Sequence, residues 1–241
     1  MTDSGEKPKL YLIPSTLGDS GLGPIPSTTL EVIRQMQVFV LENGKVGRAF
    51  LKQVGLEQPL NAYRYFELNK HTLPEEIESF LEPALEEGLD IGLLSDAGCP
   101  GVADPGAKLI WHAYRNSIQV VPLVGPSSIL LALMASGMNG QRFTFQGYLS
   151  AKRQQLAKDL KRLERDSKQQ YATQIWIEAP YRNRAVIDTA LQVLAPTTLF
   201  AIAADLTLPT EYIRTRPIME WKRLKKPDIN KRPAVFLLLA R

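Results

Sequence analysis

The chain has 241 residues, 44% of them hydrophobic, with 29 Lys and Arg against 25 Asp and Glu, a formal charge of +4. At about 100 to 200 residues per domain this length suits one or two globular domains. A single cysteine, Cys99, and two histidines, His71 and His112, exclude an intrachain disulfide and a zinc-type ligand cluster, so no metal is expected. No apolar run approaches the roughly 20 residues that span a bilayer, and the opening MTDSGEKPK lacks the apolar centre of a secretory signal; a cytoplasmic location is expected.

In chain order, Lys9–Pro14, Val38–Glu42, Asp90–Ser95 and Gln119–Val124 are short and apolar, which predicts strands covered on both faces. Helix patterns lie between them: Thr28–Gln37, Val46–Val54 ending on Gly55, and Pro74–Glu87, interrupted at Pro83. Asp104 and Pro105 read as the cap and first turn of a further helix. Strand alternating with helix predicts a parallel α/β sheet. After Gly140 the pattern changes. Gln141–Tyr148 reads as a half-exposed strand, Ala151–Ser167 as a polar helix, then Thr173–Glu178, a helix over Tyr181–Leu194, and strands Thr198–Leu206, Glu211–Ile218 and Ala234–Ala240. The short link between two late strands predicts a mixed sheet with antiparallel pairing. Two α/β domains follow, 1–124 and 125–241.

Ligands of open α/β sheets collect where loops and helix N-termini leave free backbone N–H groups, at the carboxyl ends of the strands. Three Gly/Pro-rich loops fall there: Pro14–Asp19 after the first predicted strand, SDAGCPGVADPG (95–106) after the third, and Gly125–Ser128 after the fourth. No Gly-x-Gly-x-x-Gly stands in the first loop and no Gly-x-x-x-x-Gly-Lys-Ser/Thr anywhere in the chain, so dinucleotide and nucleoside triphosphate readings start low. A small zwitterion joined to an apolar base suits such loops better. S-adenosylmethionine has that make-up. The cation-rich segments Lys152–Lys168 and Lys222–Arg232 suit either phosphate contact or plain solvation.

LYLIPSTLGD, LLSDAGCPGVADPG, VPLVGPSSILLALMASG, RFTFQGYL and IWIEAPYRN resemble the successive motifs of the tetrapyrrole methylase superfamily over most of residues 9–241. The likeness is strongest to its branch of ribosomal RNA ribose 2′-O-methyltransferases. The resemblance implies two α/β domains, S-adenosylmethionine in the cleft between them, a homodimer and RNA as partner. It implies cofactor contacts from Pro14, Gly18, Asp96, Ala97, Gly98, Val102 and Ala103. From the second half it implies Ser127, Ser128, Glu178, Ala179, Ala204, Pro233 and Ala234; a strand-end salt bridge is the alternative for Glu178.

The acceptor side departs from that branch. Its Cys-Glu-Asp-Thr-Arg segment reads Leu41-Glu42-Asn43-Gly44-Lys45 here, its His-Asn-Glu falls on Leu68-Asn69-Lys70-His71, and its Thr-Lys-x-His-Glu becomes Thr207-Leu208-Pro209-Thr210-Glu211. GLGPIP at 21–26 reads as an insertion. Glu42, Lys45, Asn69 and His71 are the acceptor-side candidates, and Arg182 and Arg184 stand where an RNA phosphate would be met. An RNA ribose hydroxyl is the first choice of acceptor. The altered segments also suit a tetrapyrrole or other small molecule, or a silent protein that binds cofactor or RNA.

Overall fold

The computed structural model describes residues 7–19 and 21–241; most of the MTDSGEKPK stretch lies outside them. The chain divides into two compact units, Met1–Ser127 and Ser128–Arg241. The first carries β1 (Lys9–Ile13), α1 (Ser27–Arg34), β2 (Val38–Leu41), α2 (Gly44–Val54), β3 (Arg64–Glu67), α3 (Glu82–Glu87), β4 (Ile91–Leu94), α4 (Gly106–Arg115) and β5 (Gln119–Pro122). Its five strands are all parallel, in the order β3-β2-β4-β1-β5.

Period-2 alternation sends side chains to two cores. Leu10, Val38, Val40, Ile91 and Leu93 meet Leu109 and Ala113 of α4 and the Ile77–Ala84 segment on one face. Ile13, Phe39, Leu41 and Leu94 meet Ile33 of α1 and Phe50, Leu51 and Val54 of α2 on the other. Burial on both faces explains why these strands are continuous apolar runs.

Two expectations are corrected. β3 is a fifth strand that the sequence reading missed: it is an edge strand with exposed Arg64 and Glu67 at its ends and half-buried Tyr65 and Phe66 between, so it lacks the apolar run of its neighbours. The helix expected over Pro74–Glu87 is instead a 3₁₀ turn at Glu78–Leu81 followed by α3. Pro83 has no N–H to donate and is tolerated only in a first turn, so it forces this break.

The second unit carries α5 (Ser128–Ser136), β6 (Phe143–Tyr148), α6 (Arg153–Gln170), β7 (Thr173–Glu178), α7 (Asn183–Val193), β8 (Leu199–Ala204), β9 (Tyr212–Pro217), α8 (Ile218–Trp221) and β10 (Ala234–Leu239). Its sheet runs β6-β7-β10-β8-β9. Only β6 and β7 pair in parallel; β7-β10, β10-β8 and β8-β9 are antiparallel, the mixed sheet expected. Trp176, Phe236 and Phe200 stack across three strands at centroid distances of 5.8 and 6.1 Å, beneath Leu156, Leu160 and Leu163 of α6 and Val186, Ile187, Ala190 and Leu191 of α7. Trp221 closes this core edge-on to Phe200, its indole N–H donating to the Phe200 carbonyl at 2.8 Å. α5 packs against β8, β9 and β10, and the Thr215 hydroxyl donates to the Ser136 carbonyl at 2.8 Å.

Among the described residues no helix is long and apolar enough to cross a membrane, and no His, Cys, Asp and Glu group is arranged to hold a metal ion.

Candidate active site

Parallel pairing places all five strand-end loops of the first unit along one edge, in the order of the strands. The chain leaves β1 toward β2 on one side of the sheet and leaves β4 toward β5 on the other. β1 and β4 are neighbours, so the crevice outside their carboxyl ends is the switch point at which α/β sheets bind ligands. The SDAG loop therefore follows the fourth strand of the chain, not the third.

That crevice is built by backbone. Ser15 and Gly98 form an antiparallel bridge, Ser15 N–H to the Gly98 carbonyl at 2.9 Å and Gly98 N–H to the Ser15 carbonyl at 3.3 Å. The buried Ser15 hydroxyl donates to the Ser95 carbonyl at 3.0 Å, and the Ser95 hydroxyl donates to the Gly98 carbonyl at 3.3 Å. Gly98 sits at φ +75°, where a Cβ would lie 3.3 Å from Leu17 and 3.6 Å from the Pro126 carbonyl. Gly101 and Ala103 are also left-handed, at φ 81° and 61°. Three such residues in six wind the loop tightly, and for Ala103 the conformation costs about 1 to 2 kcal/mol. Asp104 holds the far end: its Oδ1 accepts the Gly101 and Gly106 N–H groups at 2.8 Å each; the cap position of α4 falls on Pro105, one residue later than expected, and Asp104 stands just before it. Asp96 and Ala97 are exposed at the rim and Val102 is 47% exposed. Pro14 packs against Gly125, where a Cβ would fall 2.3 Å from the proline ring; the first and last loops meet only because Gly125 lacks a side chain.

Glu42, at the end of β2, joins this loop. Its carboxylate accepts the Asp96 N–H at 3.1 Å, and the Asp96 carboxylate accepts the Asn43 N–H. Burial pushes the Glu42 carboxyl above the usual glutamate range, and the Asp96 and Asp104 charges push it further, against the lowering effect of the Asp96 N–H. Burial also raises Asp96 and Asp104, each partly offset by backbone N–H groups. Burial disfavours the charged form of all three carboxylates, and a cation at this rim would relieve that cost.

The other acceptor candidates are less engaged. Lys45 is exposed in the first turn of α2, where its N–H meets the Asn43 cap at 3.0 Å. Asn69 folds its own loop, its Oδ1 accepting the His71 N–H at 2.9 Å, and His71 is exposed. Both lie on the loop after β3, next to the β2 loop through the Leu68 N–H to Leu41 carbonyl bond at 2.8 Å.

The second unit gathers its own candidates. Because β10 runs antiparallel to both neighbours, its start lies between the ends of β7 and β8: Ala234 pairs with Glu178 and with Ala204. Glu178, Ala179, Ala204, Pro233 and Ala234 therefore share one edge. Glu178 is buried; one oxygen accepts the Ala179 N–H at 2.8 Å and faces the Arg182 guanidinium at 3.0 Å, while the other, Oε2, has no partner. Arg182 also donates to the Ser150 carbonyl at 2.7 Å. Its cation is engaged by Glu178 and Ser150 within the unit; Arg184 is exposed. Ser127 precedes α5 and Ser128 is its first residue.

Sequence reasoning missed the scaffold of this edge. Arg232 donates Nε to Asp205 Oδ2 at 2.7 Å and Nη1 to the Asp228 carbonyl at 3.1 Å, and its Nη2 bonds the Thr210 carbonyl. Asp205 also takes the Thr210 hydroxyl at 2.7 Å, and its N–H meets the Pro233 carbonyl at 3.0 Å. The Asn183 amide donates to the Ile229 and Arg232 carbonyls at 2.8 and 2.7 Å. The charged residues beside Pro233 and after Ala204 were the available signal.

The sequence profile of the family described as Tetrapyrrole (Corrin/Porphyrin) Methylases matches residues 9–221. The chain belongs to the tetrapyrrole methylase family. It is a methyltransferase whose methyl donor is S-adenosylmethionine. Ribosomal RNA small subunit methyltransferase I of Escherichia coli O157:H7 is 31% identical over 231 residues, 96% of this chain and 77% of that protein. The protein of the same name from Mesorhizobium japonicum is 34% identical over 209 residues, 87% of this chain and 67% of that protein. Among solved structures, the methyltransferase CobJ covers 98% of this chain and 100% of its own at a TM-score of 0.62 and 16% identity. A conserved hypothetical protein from Aeropyrum pernix K1 covers 98% and 86% at a TM-score of 0.69 and 15% identity. These two similarities establish the fold.

The residues fit the donor of this methylase family. Within the first unit, the wound loop with exposed small residues and the carboxylate rim are groups that the charged part of such a donor uses; within the second, the edge of small residues carries a buried carboxylate oxygen with no partner.

Proposed function

We propose that this methylase transfers the methyl group to a ribose 2′-hydroxyl of small-subunit ribosomal RNA, in the cytoplasm. The observation that carries the reading is the Glu42–Asp96 clasp, which sets an acceptor-side carboxylate against the loop assigned to the donor. The names of the relatives add the RNA acceptor. Donor contacts are assigned to Pro14, Gly18, Asp96, Ala97, Val102 and Ala103, with Gly98 shaping the loop, its own N–H and carbonyl taken up by Ser15. Ser127 and Ser128, Ala179, Ala204, Pro233 and Ala234 are assigned to it as well. Glu178 orders the Ala179 backbone through its bond to that N–H.

When bound, S-adenosylmethionine supplies an electrophilic methyl carbon on a sulfonium. The protein's part is alignment and proton removal. Glu42, its proton affinity raised by burial, accepts the proton of the attacking hydroxyl, general base catalysis worth about 10²- to 10⁴-fold. Positioning supplies several further kcal/mol. Lys45, Asn69 and His71 form the neighbouring acceptor surface. A pair of identical chains is the proposed assembly; exposed Leu130 and Met134 on α5 are apolar surface that supports it, and sedimentation measures it.

Incubation with methyl-labelled S-adenosylmethionine and small ribosomal subunits tests the reading. Label is expected in alkali-resistant dinucleotides, because a 2′-O-methyl group blocks cleavage at its own phosphodiester. Label confined to base-modified nucleosides, or absent from RNA, overturns it.

A further inference from the structure

The second unit carries a surface that the methyl-transfer chemistry does not use. Tyr181 is 72% exposed, immediately before the buried Arg182–Glu178 pair that fixes its backbone. One turn on stands the exposed Arg184, and a further turn brings Asp188, so the three share a face of the α7 entry. The segment Lys222–Lys231 lies along this face: Lys231 N–H bonds the Pro180 carbonyl at 3.1 Å, Asn183 holds the Ile229 carbonyl, and Lys226 Nζ meets Asp188 Oδ1 at 2.5 Å. That segment holds five cations against one carboxylate, Asp228, and all five are exposed. Lys226 neutralises Asp188. Among the described residues, Arg184, Lys225 and Lys231 have no carboxylate partner.

We propose that Tyr181, Arg184 and the Lys222–Lys231 segment form a docking surface for single-stranded RNA, Tyr181 stacking on an unpaired base and the cations following the phosphates. A bare row of cations serves any polyanion. An exposed aromatic ring on a rigid backbone among them selects a strand whose bases are unstacked, since a duplex keeps its base faces covered. The inference rests on the RNA reading above and extends it from the reacting hydroxyl to the strand that carries it.

Fluorescence anisotropy with a labelled oligouridylate of about 12 nucleotides and an RNA duplex of equal length, over a range of KCl, tests the surface. The triple variant Arg184→Ala, Lys225→Ala, Lys231→Asn retains the fold, since the side chains are exposed and Asn tolerates the φ of 60° at position 231. It is expected to lose at least tenfold in affinity and to flatten the log K against log salt slope by about 2, at ~0.7 per phosphate contact. Tyr181→Ala is expected to weaken the single strand about tenfold and spare the duplex, with Tyr181→Phe restoring binding. Titration with S-adenosylmethionine, unchanged in all variants, shows that they are folded. Unaltered affinity and slope, or equal loss on strand and duplex with Tyr181→Ala, overturns the proposal. Labelled methyl transfer to RNA separates this claim from the acceptor reading. Transfer undiminished by the variants overturns the docking surface alone; variant-sensitive strand binding by a protein that methylates no RNA sustains the surface and overturns the acceptor.

Discussion

Removing the Arg232 guanidinium tests whether the second unit's edge is held as described. Its side chain is 27% exposed, and that of Asp205 only 8%, so Arg232→Ala leaves a nearly buried carboxylate with the Thr210 hydroxyl as its remaining side-chain partner. Breaking a buried pair from one side costs about 3 to 5 kcal/mol. The partial exposure of Arg232 lets water reach the site and places the loss near the lower limit, about 3 kcal/mol. For a unit of this size that is a fall of roughly 10 °C in Tm, read by differential scanning calorimetry. Arg232→Lys keeps the charge and gives up the fork that spans Asp205, Asp228 and Thr210, so it is expected to recover only part of the loss. Because the Pro233 carbonyl meets the Asp205 N–H, the alanine variant is also expected to weaken S-adenosylmethionine binding. A Tm for Arg232→Ala within 2 °C or so of the parent would mean that the Arg232–Asp205 pair does not hold this edge.

Gly98→Ala is expected to keep the fold, at a cost of about 1 to 2 kcal/mol for the left-handed backbone, and to reduce donor affinity on titration; full affinity would mean the loop is not the donor's seat. Glu42→Gln tests the raised carboxyl. A group that holds its proton more tightly when folded makes stability fall as pH rises from its unfolded value through its folded one. The glutamine lacks this slope, so its stability relative to the parent should rise across that interval and level off above it, while methyl transfer falls about 10²- to 10⁴-fold with donor affinity retained. A variant less stable than the parent at neutral pH yet equal in acid would contradict the sign.

Both sheets were legible because their strands are marked locally: runs such as Val38–Leu41 and Leu199–Ala204 are buried throughout. β3 was not, because an edge strand with Arg64 and Glu67 at its ends carries little apolar signal. The candidate site was legible as loops but not as contacts. Glu42 lies 54 residues from Asp96 and Asp205 27 from Arg232, separations that only strand order brings together. The placing of Ala234 between Glu178 and Ala204 depends on the antiparallel register of β10, which no local pattern encodes. Glu178 gives one oxygen to the salt bridge, with Arg182 3.0 Å away, and keeps the other without a partner.

Modification of a ribose hydroxyl of ribosomal RNA by this methylase, as proposed, is read by a ribose-methylation map of small-subunit RNA from cells lacking the gene. Loss of a 2′-O-methyl mark is expected, restored by the wild-type gene and not by the Glu42→Gln form. A map unchanged by the deletion would contradict it.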